Sequence, residues 1–149
     1  MVGLFGAEVP AVVAAMLVGE IAVLAAFIVG YVLARLRRGT YHHYLMFGAF
    51  AADLLVFKPL MFSRAYGGAW GGPPWEGTGI LLHLVLDTVT FVVGVAAIYL
   101  GFRHRLRKDG RMFMPPKGKM HRWLGRAFVV LWALTLLGGL RIFLDTYLP

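Results

Sequence analysis

Four long apolar blocks dominate this chain and dictate what it can fold into. They run over about residues 8–34, 43–62, 79–102 and 123–148. Each has at least the roughly 20 residues that an α-helix needs to cross the hydrocarbon core of a bilayer. A buried strand is complete in far fewer residues, so the blocks read as helices. In lipid a helix also satisfies its own backbone N–H and C=O groups, which an open sheet edge does not. The expected fold is all-α: an integral membrane bundle of four transmembrane helices, with residues 1–149 forming one domain. Composition agrees. The chain is 60% hydrophobic and 15% charged, against about half and a quarter in a soluble domain. That balance excludes a disordered chain and an ordinary soluble enzyme. The absence of cysteine excludes a disulfide scaffold, thiolate metal sites, thiol nucleophiles and iron–sulfur clusters.

The basic residues set an orientation. No Lys or Arg precedes the first block, and its apolar run is too long for the h-region of a cleaved signal peptide. Twelve of the fifteen Lys and Arg residues fall in residues 35–42 and 103–122 or, as Arg126, just inside the fourth block. The opposing loop, 63–78, holds only Arg64. The positive-inside rule then predicts cytoplasmic basic loops and both termini outside. The net charge of +8 becomes a topological signal with anionic membrane lipid as its partner, and nucleic-acid binding is not expected. Loop 63–78 is rich in Gly, Pro and aromatics. Trp70 and Trp75 suit a turn anchored at the membrane interface.

A few polar residues interrupt the blocks. Counted from the block ends at about 1.5 Å per residue, Glu20, Asp53 and Asp87 fall near the middle of the hydrocarbon. An acidic residue there costs about 2.5–3.5 kcal/mol on insertion scales, so the three are expected to face the bundle interior. Lys58 and His83 form a second layer. His83 and Asp87 lie four apart on one helical face, and the short loop makes helices two and three antiparallel neighbours. Glu20, Asp53, Lys58, His83 and Asp87 are therefore expected to form an intramembrane polar cluster. It would serve either to hold helices together or as a proton relay, metal site or ligand pocket. Arg141 and Asp145, four apart, are an expected ion pair.

His42, His43, His104 and His121 gather at the end that carries the basic loops. His43 and His121 sit at equal depth on different helices, as the axial ligands of a b-type haem would. Copper could use the same histidines with Met46, Met112, Met114 or Met120 as soft ligands. Headgroup anchoring is the plainer role for histidines at helix ends. No catalytic, nucleotide or zinc motif is present, so an enzyme is not expected.

Several short motifs occur in a telling order. GYVLARLRRGTYHHYLMFGAFAADLL joins a helix, a basic turn and a histidine before a Leu-Met step. AYGG and ILLHLVLD follow, then HRWLGRAFVVLWALTLLGGLRIF. Over about residues 24–145 this resembles the CtaM-type (YozB-like) family of small membrane proteins linked to maturation of haem–copper terminal oxidases. By position His43, His83 and His121 correspond to the family's histidines and become tentative cofactor ligands; Lys58-Pro59 and the Asp53/Asp87 pair do not map. The resemblance implies a non-catalytic accessory of the respiratory chain in a prokaryotic cytoplasmic membrane. The chain would be an assembly factor or a small bound subunit, with oxidase subunits as partners. Two alternatives stand beside it: a membrane carrier of b-type haem or copper, and a small proton- or ion-conducting module. Binding no cofactor is the default.

Overall fold

The structure is a computed structural model and describes residues 1–4, 7–66, 78–104, 106–108, 111–113 and 118–147. Trp70, Trp75 and Met114 lie outside them. Five helices follow in order: α1 (Ala11–Arg35), α2 (Gly39–Ala52), α3 (Lys58–Tyr66), α4 (Thr78–His104) and α5 (Lys119–Tyr147). A π-helical turn, Asp53–Phe57, joins α2 to α3 into one continuous rod. Among the described residues four helices are long and apolar enough to cross a membrane: Ala11–Arg35, Gly39–Ser63, Gly79–His104 and Lys119–Tyr147. The fold is therefore almost wholly helical, as expected, and its four candidate spans suggest a multi-pass membrane protein.

Burial is inverted in the way lipid demands. Only 17–28% of each apolar window is buried inside the bundle. Val18, Leu55, Leu82, Tyr99 and Leu137 point outward, where hydrocarbon rather than water would meet them.

Two features depart from the expected pattern. Val2–Leu4 (β1) and Ala7–Val9 (β2) pair as an antiparallel hairpin, as do Leu106–Lys108 (β3) and Arg111–Phe113 (β4). Glu8 thus lies in a strand and not in the first helix, which starts at Ala11 and not at residue 8. Pro10 is the reason. It is extended (φ −56°, ψ 133°), has no N–H, and offers its carbonyl to the Val13 and Ala14 N–H groups. Val9, fully buried, then packs on Val13 and Phe143 and seals that end of the bundle. The second helix also begins early, at Gly39 and not at 43. The Leu36, Arg37 and Arg38 N–H groups bond back to carbonyls of α1's last turn, so the connection is tight. Arg37 takes the left-handed conformation, φ 59°, that glycine usually fills at a helix end. Arg37→Gly is expected to raise stability by about 0.5–1 kcal/mol in denaturant titration, because the strain of a left-handed non-glycine disappears.

The π turn has a legible cause. Pro59 cannot donate to a carbonyl one turn back and would clash with it in a regular α-helix. Widening the turn avoids that clash, and the Lys58 N–H bonds to the Asp53 carbonyl five residues earlier. In an α-helix residues five apart point about 140° away from each other. The i→i+5 register brings them to one face, so Lys58 lies beneath Asp53.

α4 and α5 form the most extensive pairing, α1 and α2 the next, and α1 closes against α5. The centre is aromatic: Phe27, Phe50, Phe128 and Trp132 are buried with Val23 and Ala49. Phe27 meets Phe128 and Trp132 edge-on, with ring centres 4.8 and 5.4 Å apart. Gly94 makes room for this layer. A Cβ there would lie 2.7 Å from both the Phe50 and Phe128 rings, so α4 approaches its neighbours only because that position has no side chain.

Candidate functional site

The structure brings most of the expected polar cluster together, with contributions from α1, the π turn, α3, α4 and α5. Lys58 Nζ on α3 donates to Asp87 Oδ1 on α4 at 2.5 Å and lies 3.7 Å from Asp53 Oδ1 in the π turn. Trp132 Nε1–H on α5 donates to Asp53 Oδ2 at 3.3 Å. Glu20 on α1 packs beside the π turn that carries Asp53. Glu20 and Asp53 are 8% and 4% exposed, which places both carboxyls inside the bundle. Glu20 Oε1 and Asp53 Oδ1 have no hydrogen-bond partner. His83, expected in the same cluster, packs flat against Gly138 and Gly139, and its Nδ1 is also without a hydrogen bond. A cavity of about 90 Å³ joins Glu20, Lys58 and His83 and runs along α5 toward Thr146 and Tyr147. Thr135, on its wall, meets Thr90 across α4 and α5 at 3.1 Å. Arg141 Nε donates to Asp145 Oδ2 at 2.8 Å, the expected i,i+4 pair, with both side chains largely exposed.

The histidines at the opposite end, beside the 36–38 turn, come together more closely than depth alone implies. His43 and His121 lie parallel, 5° between planes, with ring centres 6.2 Å apart. His42 completes a triangle, 5.1 Å from His43 and 6.3 Å from His121. Each ring is oriented by a backbone carbonyl: His42 Nδ1 by Gly30 at 2.8 Å, His43 Nδ1 by Gly39 at 2.6 Å, and His121 Nδ1 by Ala97 at 2.8 Å. A carbonyl can only accept, so each Nδ1 carries the proton. In a neutral ring the lone pair is then on Nε2, the arrangement found around metal-bound imidazoles. His43 Nε2 is buried and has no hydrogen-bond partner. A second cavity, lined by the three histidines, Met46, Phe50 and Phe128, lies beside them. Among the described residues no three His, Asp or Glu side chains converge closely enough to hold a metal ion. His83 does not join this group; it lines the other cavity.

Two participants, Trp132 and the π turn, were not singled out from sequence, and His42 was placed in the histidine cluster without its partner. His42 precedes His43 by one residue and so points about 100° away on a helix. It bonds to α1, which comes close at Gly30; a glycine at matching depth was the available signal. Trp132 resembles any core aromatic until its N–H is seen to reach Asp53. The π turn had a signal in Pro59.

Comparison of the chain with family models, curated proteins and solved structures finds no match.

Proposed function

We propose that this chain is a non-catalytic accessory membrane protein of a haem–copper terminal oxidase, an assembly factor or small bound subunit, and that it works by holding copper(I) between His43 and His121. The observation that carries the metal-holding role is the pair of parallel imidazoles with both Nδ1 protons committed to carbonyls. The two rings lie parallel with centres 6.2 Å apart, and each would offer its Nε2 lone pair to a metal ion. Two imidazoles suffice for a soft monovalent ion, and the Met46 thioether lining the same cavity is a soft donor of the kind that favours copper(I). A haem fits less well. The His42 ring centre lies about 5 Å from the midpoint of the His43–His121 pair, within the radius of a porphyrin. Bound copper would supply a transferable metal ion; the chain's own part is to orient the imidazoles and exclude water.

The link to an oxidase rests on the resemblance of the motif order to the CtaM-type family. The charge asymmetry supports the orientation: basic loops in the cytoplasm and both termini outside, in a prokaryotic cytoplasmic membrane. The imidazoles would then handle copper on the cytoplasmic side.

The test is metal analysis of the full chain, purified in detergent after expression with copper under reducing conditions. The parent is expected to retain copper, His43→Ala and His121→Ala to retain at least roughly tenfold less, and His83→Ala to match the parent. Copper retention equal in the parent and the His43→Ala/His121→Ala pair would overturn the metal role, as would a Soret band lost in the same variants, which would assign haem instead. Affinity capture from solubilised membranes addresses the partner separately: recovery without any oxidase subunit would overturn that half.

A further inference from the structure

We propose that the cavity beside Glu20 is a hydrated path through which the Glu20–Asp53 pair exchanges one bound proton with the membrane face at the chain-terminus end, and with that face only. The inference is independent of the histidine site.

Charge balance comes first. Around Glu20 are Asp53 from the π turn, Lys58 from α3, and Asp87 with His83 from α4; among the described residues α5 contributes the neutral Trp132 and Thr135, with Thr146 and Tyr147 at the cavity's outer end. Three carboxylates and one ammonium with a neutral imidazole would leave two uncompensated negative charges near the middle of the membrane. Each costs at least about 2.5–3.5 kcal/mol there. Lys58 is engaged by Asp87 and reaches Asp53 at 3.7 Å, so it neutralises at most that side of the cluster. Glu20 has no cation of its own. Two buried carboxyl groups on packed elements, with no cation between them, are held most cheaply by one shared proton, since carboxylates only accept. The bound species is therefore a carboxylic acid donating to a carboxylate.

The orphaned atoms point to water as the exchange partner. Glu20 Oε1 and His83 Nδ1 are buried without partners, and both residues line the cavity together with Lys58 and Thr135. A volume of about 90 Å³ holds about three waters at roughly 30 Å³ each. Polar groups at its inner end can hydrogen-bond them, which is the condition for a cavity to be wet. Exchange is then balanced: the acid's O–H bond breaks, an O–H bond to a cavity water forms, and hydronium leaves along the path. Toward the basic end the route is closed by the buried Phe27, Phe50, Phe128 and Trp132 rings; Trp132 lines this cavity, and Phe50 and Phe128 line the other.

The test uses the full chain in lipid vesicles. Infrared difference spectra on changing H2O to D2O are expected to show the C=O band of a buried protonated carboxyl that shifts on exchange, is lost in Glu20→Gln and is displaced in Asp53→Asn. Absence of such a band, or a band unchanged in both variants, would overturn the proposal. A second measurement leaves the carboxyls in place. Because the chain has no cysteine, Leu140→Cys, on the cavity wall, and Leu137→Cys, 60% exposed on the outer face of the same helix, report water access directly. A membrane-impermeant thiol reagent is expected to modify Leu140→Cys at least roughly tenfold faster, because only a hydrated thiol ionises, and only from the side of the chain ends. Equal rates at the two positions, or modification from the basic-loop side, would overturn it.

Discussion

Replacing Lys58 with Met is expected to lower the stability of the bundle by about 3–5 kcal/mol, the usual consequence of removing one partner from a buried ion pair. The ammonium holds Asp87 and lies beside Asp53, with Lys58 only 11% exposed, so its removal leaves two largely buried carboxylates without their counter-ion. Apolar volume is conserved by Met, which isolates the charge. Adding Asp87→Asn to Lys58→Met is expected to recover most of the loss, because the remaining Glu20–Asp53 pair can settle by sharing a proton. Folded fraction against increasing sodium dodecyl sulfate in mixed micelles measures both. A loss under about 1 kcal/mol for Lys58→Met, the size typical of an exposed pair, would show that the ion pair does not brace the bundle.

Trp132 carries the second large effect. Its ring is 3% exposed and its N–H holds Asp53. Trp132→Ala is expected to cost about 3–5 kcal/mol by opening a cavity in the aromatic layer. Trp132→Phe keeps most of the packing and leaves one Asp53 oxygen without its donor, at about 1–3 kcal/mol. In lipid the hydrocarbon outside is as apolar as the core, so lost packing contacts dominate rather than transfer from water. Equal losses in the two variants would assign the whole effect to the hydrogen bond; no loss in Trp132→Phe would assign it to packing alone.

Much of this was legible in the chain. The four spans follow from length and hydropathy, since nothing but a helix satisfies so long an apolar run. The cluster followed from depth counting, because Glu20, Asp53 and Asp87 converge on one level from opposite directions. Lys58 was placed near them, yet five residues from Asp53 is the wrong angle on an α-helix. Only the Pro59-driven π turn turns it inward. His83 was placed with them as well. It lines the cavity beside Glu20 and Lys58, and Gly138 and Gly139 open the slot on α5 that admits its ring. Hairpin β1–β2 escaped notice because an apolar stretch beginning at Val9 reads as helix until Pro10 is weighed. The histidine triangle depends on how closely α1 approaches α2, and a periodic pattern carries no such distance.

The π turn also bears on how the chain enters a membrane in the first place. A nascent second span with its lysine and aspartate on opposite faces would present two separate charges to lipid, each at about 2.5–3.5 kcal/mol. With Lys58 wound beneath Asp53, a single segment carries its own counter-ion and can partition as a nearly neutral rod before α4 arrives. Asp87 then meets an ammonium already in position. On that account the first hairpin is expected to insert before the second.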